Sequence, residues 1–292
     1  MKKTTLLRCW LAAALLACGG PAYSDAAAQL RLRFADLGPA LAQNVFSRPL
    51  VLESSDTPGQ LQGDIYAVLG YPLNTVNRVL RDPANWCALM SLHANTKYCR
   101  TTGAAPGREL QVRVGTKSPQ DLAQTVPLEF KFSTAGSTTE LLTVALAADA
   151  GPLGTSDYRI LLEAVALPDN RSFVHLRYGY AYSLVGRLAM QAYLATGGSG
   201  KVGFTQTAES TPANPRYIGG IRSLVERNTM RYYLAIDAVL DASSAPLPAQ
   251  FERRLEHWFN AAEQYPQQLH EMDWATYVQM KRAEQVRQQH TP

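Results

Sequence analysis

Between residues 82 and 99 the chain reads DPANWCALMSLHANTKYC, which sets Cys87, His93 and Cys99 close together beside Trp86. Three chemistries use these residue types at such spacing: a thiolate activated by an imidazole, half of a zinc site, or a disulfide closing a structural hairpin. A zinc site would need further ligands, and no CxxC spacing or second cysteine pair supplies them. The choice that remains depends on whether the segment meets a reducing or an oxidising compartment.

The first residues, MKKTTLLRCWLAAALLACGGPAYSDA, place Lys2, Lys3 and Arg8 around the start of an apolar run from about Cys9 to Cys18, followed by Gly19, Gly20 and Pro21. That is the form of a secretory signal peptide. The run falls short of the ~20 apolar residues that cross a bilayer, and no later stretch reaches that length. Two cleavage sites compete. Ala22-Tyr23-Ser24 before Asp25 suits ordinary cleavage, whereas Leu15-Leu16-Ala17-Cys18 resembles a lipobox and would leave a lipidated Cys18 as a membrane tether. Either route exports the chain, and a short lysine-led signal points to a bacterial periplasm. With Cys9 and Cys18 in the leader, Cys87 and Cys99 form an isolated pair in an oxidising compartment, which reads as a disulfide.

Elements must position these residues, and the pattern of the chain divides it into a signal peptide (1–24), an N-terminal helix or surface arm (25–45), a main domain (46–245) and a helical C-terminal extension (246–292). Strand-like runs at 48–55 and 62–71 flank the turn Asp56-Thr57-Pro58-Gly59. Leu73, Val76, Val79 and Leu80 fall at helical spacing before the break at Asp82-Pro83, and residues 87–99 read as a short helix or turn. From residue 108 the period becomes two, through runs at 108–115, 125–133, 140–149, 156–167 and 171–183: an antiparallel meander with one apolar face. In its last strands, Asp157, Arg159 and Glu163 share a face, as do His175 and Arg177, and cross-strand charge pairing accounts for that histidine. Helices follow at 184–196, 221–242, about 248–263 and about 273–288, with a loop and a short strand at 201–207 between the first two. The long one carries Leu224, Tyr232, Ile236, Val239 and Leu240 along one stripe.

Composition narrows the function. The 28 Lys and Arg against 24 Asp and Glu become 25 against 24 once Lys2, Lys3 and Arg8 are removed, so nothing electrostatic favours a nucleic-acid partner. GGSGK at 197–201 lacks the Ser or Thr of a phosphate loop and follows a helix instead of a strand. His270-Glu271 lacks the second histidine of a metalloprotease helix and reads as a solvated helix end. No catalytic constellation, metal set or cofactor motif of recognisable spacing emerges.

Tyr178, Tyr180 and Tyr182 lie on one side of the last strand with Val174 and Leu176. Three hydroxyls on an apolar wall need partners. Either they are bonded within a tyrosine-rich core, or they orient a mostly apolar guest in a cavity.

The order of strand, two short helices, antiparallel meander and long helix resembles the START-like helix-grip superfamily over roughly residues 60–242. IYAVLGYPLNTVNRVLRDPANW is similar to its first strand and following helix, with the break formed by Asp82, Pro83 and Trp86. The segment 184–220 departs from that pattern. The resemblance implies an α+β fold in which a curved antiparallel sheet wraps a long C-terminal helix, enclosing an apolar cavity. It also implies a partner that is a hydrophobic small molecule or lipid. The candidates for lining that cavity are Leu176, Tyr178, Tyr180 and Tyr182 on the last strand, Tyr232 and Ile236 on the long helix, and His93 and Tyr98. The leading expectation is an exported binding protein without catalysis. The alternatives are a cyclase- or hydrolase-type enzyme using the same cavity, and a structural partner protein docking through Trp258, Phe259, Trp274 and Tyr277. The oligomeric state is not legible.

The expected mature N-terminus is Asp25. N-terminal sequencing of the exported protein checks it, and a fatty-acid label that disappears in Cys18→Ser would replace this reading with the lipoprotein route.

Overall fold

Alternating apolar residues between 50 and 182 form strands, and the helical repeats beyond 184 form the helices that cover them. The computed structural model describes residues 22–104 and 107–290; residues 1–21 with Cys9 and Cys18, and with them the lipobox reading, lie outside the described residues, whereas the ordinary cleavage site at Ala22-Tyr23-Ser24 falls within a helix. In chain order the elements are α1 (Ala22–Ala42), β1 (Leu50–Thr57), β2 (Gln60–Leu69), α2 (Leu73–Leu80), α3 (Pro83–Met90), β3 (Thr96–Thr102) and β4 (Glu109–Val114). They continue with β5 (Val126–Ser133), β6 (Leu141–Ala150), β7 (Thr155–Leu167), β8 (Arg171–Tyr182), α4 (Leu184–Ala195) and α5 (Gly220–Ala242). The chain closes with α6 (Leu247–Glu263), α7 (Pro266–Leu269) and α8 (Trp274–His290). The strands make one antiparallel sheet in the order β1-β2-β8-β7-β6-β5-β4-β3, so the first hairpin lies beside the last strand. With α5 lying on this curved sheet, the architecture is the α+β helix grip.

Side chains alternate along a strand, so each face needs its own cover. Leu61, Ile65 and Ala67 of β2 and Val174, Leu176 and Tyr178 of β8 join one large core with Leu234, Ile236 and Val239 of α5. Tyr66, Val68 and Phe173 take the other face, where Ala27, Leu30, Leu37 and Leu41 of α1 seal a second, smaller core. The depth of α5 is set at Gly63. A Cβ there would stand 2.3 Å from Thr229 Oγ1, so only a bare backbone lets the helix approach so closely.

Local chemistry explains the punctuation. Asp82 caps α3 by accepting from the Ala84 amide at 2.9 Å, Pro83 fills the first helical position, and buried Trp86 donates its Nε1–H to Leu80 O at 2.9 Å. Asp169 and Asn170 both take positive φ, at 60° and 55°, as the tight turn from β7 to β8 requires.

The structure corrects two boundaries. The short helix or turn expected over 87–99 ends at Met90, and Thr96–Thr102 is instead strand β3, paired with β4. Its backbone groups complete the ladder at the sheet edge, a partnership that no local spacing announces. The strand suspected at 201–207 reduces to a single bridge between Gln206 and Tyr217.

The C-terminal helices share the main core. Trp258 and Tyr277, 4% and 1% exposed, stack with centroids 5.3 Å apart, so these two of the four aromatics suspected of docking a partner are internal. Two buried lysines bolt α8 to the sheet. Lys97 meets Glu284 at 3.0 Å, and Lys281 meets the same carboxylate at 2.8 Å while donating to His93 O and Thr96 O. Buried charges hold only when paired in this way.

Cys87 on α3 and Cys99 on β3 are joined as a disulfide across a sequence separation of 12. Closing so short a loop stabilises the fold by about 3 kcal/mol in the chain-entropy account. Cys99→Ser should therefore melt at lower temperature than the oxidised wild type, measured by circular dichroism. Two free thiols in non-reduced protein would overturn the pairing.

Candidate functional site

The face of the sheet toward α5 carries a ladder of rings. Tyr180 stacks on Tyr158 at 5.1 Å, Tyr158 lies 6.4 Å from Tyr178, and Tyr178 meets Tyr232 of α5 at 5.1 Å. Tyr232 meets His93 at 4.6 Å, and His93 stacks on Trp258 at 6.2 Å. The ladder thus runs from the end of β8 across α5 to the C-terminal helices. The period of two places Tyr178 and Tyr180 on it. Tyr158 belongs to the same set, and the alternation of Tyr158, Ile160 and Leu162 along β7 is the signal that could have found it.

Several polar atoms on this ladder are poorly satisfied, although the Tyr158 hydroxyl pairs with Thr155 Oγ1 at 2.8 Å. The Tyr180 hydroxyl reaches only the Met190 thioether, at 3.6 Å, a weak acceptor. Among the described residues, His93 Nε2 and Trp258 Nε1 are buried without any partner. The Tyr178 hydroxyl does better, lying beside the Asn228 side chain, which favours its ionised form slightly. Burial raises the phenols of Tyr158, Tyr178, Tyr180 and Tyr232, so all four are neutral donors. Burial, assisted by the charges of Arg231 and Lys281, drives His93 down to about 3. Its imidazole is a neutral group among rings.

Beside the ladder lies a charged cluster that sequence reasoning missed. Arg231 of α5 and Lys117 of the β4–β5 connection both pair with Glu271, the latter at 2.6 Å. Lys117 also donates to the Tyr193 hydroxyl of α4 at 2.7 Å, and Lys201 donates to His270 O. Burial would raise Glu271, yet Arg231 and Lys117 overcome it and hold the carboxyl below its usual range. Glu271, read from the sequence as part of a solvated helix end, has a side chain only 12% exposed; the cations that bury it arrive from distant segments. Arg227 and Arg231, one turn apart on α5, were the visible sign.

The remaining candidates lie elsewhere. Leu176 and Ile236 are buried in the main core. Tyr98 pairs across from exposed Arg113 on β4, the opposite strand face from Cys99. Tyr182, expected on the apolar wall, is half-buried at the end of β8, where its ring packs against the main core and its hydroxyl donates to Asp56 at 3.0 Å. His175, as the cross-strand reading anticipates, sits between carboxylates, with Nε2 2.7 Å from Asp64 and Nδ1 3.2 Å from Glu163, while Arg177 meets Asp64 at 2.8 Å. Tyr66 stacks on His175 at 4.5 Å beneath α1. A separate open cleft of about 380 Å3 is lined by Cys87, Cys99, Leu92, Phe251, Arg254 and neighbours. Among the described residues, no group of three metal-ligating side chains forms and no helix is long and apolar enough to cross a membrane.

No family model matches the chain, and no curated protein does. Solved structures do resemble it, among them START-like proteins. Ara h 8.0201 is 9% identical with a TM-score of 0.38, the match covering 63% of this chain and 99% of that one. TTHA0849 from Thermus thermophilus is 10% identical with a TM-score of 0.39, covering 64% and 99%. A STAR-related lipid transfer protein fragment from Xanthomonas axonopodis is 16% identical with a TM-score of 0.33, covering 50% and 86%. At such distances the strand order and the seat of α5 define the fold.

The two buried histidines should titrate in opposite senses. His175 is raised above 6.5: burial lowers it, but Asp64 and Glu163 outweigh that. Its contribution to stability is complete below pH 6.5 and is lost as pH rises through its folded value. His93 is depressed, so folding is favoured above pH 6.5 and progressively penalised as pH falls from there toward 3. In NMR, the His93 ring protons should stay flat from pH 8 to 4.5 while those of His175 move with a midpoint above 6.5. His93→Phe should lose less melting temperature than wild type between pH 7 and 5.

Proposed function

We propose that this helix-grip chain is an exported binding protein, without catalysis of its own, that holds a hydrophobic, lipid-like molecule against the tyrosine ladder between the sheet and α5. The observation that carries the reading is the set of under-satisfied polar atoms on that ladder: a tyrosine hydroxyl facing only a thioether, an imidazole nitrogen with no partner and an indole N–H with none. Leaving a buried donor or acceptor unpaired costs about 1–3 kcal/mol each. Such groups set in an apolar surround are how pockets orient a mostly apolar guest.

The ladder is filled by its own side chains, so a guest enters by displacing rings beneath α4. That helix is suited to moving. Leu184, Val185 and Leu188 are exposed at 73%, 65% and 57%, and Gly186 is its one buried residue. Export is supported by the leader sequence and by the Cys87–Cys99 pair, which suits an oxidising compartment. Against catalysis at the ladder stands the chemistry of the two buried histidines: His93 is neutral with Nε2 unpartnered, and both nitrogens of His175 are occupied.

Mass spectrometry of organic extracts from protein purified out of the periplasm should find a co-purifying apolar compound, and the neutral probe Nile red should bind. Tyr180→Phe should weaken Nile red or the extracted compound by about fivefold, the loss of a hydrogen bond worth about 1 kcal/mol, while Tyr182→Phe leaves affinity unchanged. Ile236→Trp should overpack the seam, costing about 1–3 kcal/mol of stability, and abolish binding. Equal affinity in wild type and Ile236→Trp would place the ligand elsewhere; no extract and no binding would end the proposal.

A further inference from the structure

The segment that departs from the helix-grip pattern, α4 with residues 197–219, brings Tyr193 and Lys201 to the face of α5 that carries Arg227 and Arg231. Lys117 reaches the same place from the β4–β5 connection. Four cations there face one carboxylate, Glu271. The neighbouring Glu226 does not help: its carboxylate is taken up by the Phe204 and Thr205 amides, the Thr205 and Ser54 hydroxyls, and Arg222 at 3.8 Å.

Arg227 is the anomaly. It is 1% exposed, yet its guanidinium donates to neutral oxygens, Val202 O at 3.2 Å and Ser223 Oγ at 2.9 Å, with the Tyr193 side chain nearby. Among the described residues no carboxylate pairs with it. Burial first, then repulsion from Arg231, pulls its pKa down to about 10. Burial likewise lowers Lys201, with Arg231, Lys117 and Arg227 adding to the effect. A buried cation without a counter-ion opposes folding, and like charges one helical turn apart oppose it further. An arriving anion would relieve both.

The cluster also touches the ladder. Arg231 Nη1 donates to Asn228 Oδ1 at 3.2 Å, and Asn228 lies beside the Tyr178 hydroxyl. Glu271, in the connection between α7 and α8, lies on no helix or strand, so its carboxylate is free to leave without unwinding one.

Resting on the binding function proposed above, we infer that the ligand is an anionic amphiphile: its carboxylate or phosphate is held by Arg227, Arg231, Lys117 and Lys201, its apolar chain runs along the tyrosine ladder, and Glu271 occupies the anion's place until the ligand displaces it. The closed pairs Arg231–Glu271 and Lys117–Glu271 are then the ligand-free state of the site. Removing Glu271 and removing a cation should change affinity in opposite directions, a sign pattern that a purely structural ion-pair network does not produce.

The test is calorimetric titration of the exported chain with oleate, with oleyl alcohol and with inorganic phosphate. Oleate should bind at least tenfold more tightly than oleyl alcohol, and phosphate far more weakly than oleate. Arg231→Gln and Lys201→Gln should each weaken oleate about tenfold with little change for the alcohol; Lys201 is partly exposed, so its variant reports even if Arg231→Gln fails to fold. Glu271→Gln should tighten oleate several-fold. Oleyl alcohol binding as tightly as oleate, or Glu271→Gln weakening oleate, overturns the head-group site while leaving the binding function standing. Phosphate binding as tightly as oleate reduces the site to one for free anions and overturns the amphiphile. If neither oleate nor the alcohol binds, and Nile red fails as well, the binding function itself fails.

Discussion

The approach of α5 to the backbone of Gly63 governs most of what this molecule can do. Thr229 presses where any side chain would collide, so the helix lies deep on the sheet. That depth brings Tyr232 to Tyr178 and Ile236 into the core, and it buries Arg227 where water cannot solvate it. A shallower helix would leave the arginines in solvent and the tyrosines apart. The functional proposals follow from one missing Cβ.

A single sheet has two faces, and here they are covered by different means. The α5 face is large and continuous, merging with the C-terminal helices through Trp258 and Tyr277. The outer face is covered by α1, and the charges of Asp64, Glu163, His175 and Arg177 lie beside its small apolar core. These charges satisfy one another at close range, in geometry that leaves no free nitrogen on His175. The C-terminal end uses the same principle, with Glu284 shared between two buried lysines. In both arrays every cation meets a carboxylate. Around Glu271 that fails among the described residues, because Arg227 and Lys201 meet none. Satisfied arrays read as architecture, and an array with surplus charge and an uncompensated buried arginine reads as a place for something else.

The aromatic ladder and the cation cluster complement each other chemically. Rings offer an apolar surface with occasional hydroxyls, and the guanidinium and ammonium groups offer a terminus for negative charge. They meet at Asn228, which accepts from Arg231 and lies beside Tyr178. A guest with both an apolar body and a charged end matches that division better than a wholly neutral one.

Much of this was legible in the chain itself. Period-two alternation marks β4 to β8 because each strand buries one face, and helical spacing marks α2, α4, α5, α6 and α8. Asp82-Pro83 announces a helix start because a carboxylate followed by proline satisfies and shapes the first turn, and the expected loss of Cys9 and Cys18 with a leader leaves Cys87 and Cys99 to each other. Local spacing also put Tyr178 and Tyr180 on the α5 side of β8. What it could not decide was anything made by distant segments meeting. Strand β3 exists because β4 completes its hydrogen bonds, and Glu271 is buried because Lys117, more than a hundred residues earlier in the chain, and Arg231 close over it. A residue's periodicity reports which way it faces; which charges gather around it, and whether they balance, depends on how deeply the helix that carries them sits, and only the tertiary structure sets that depth.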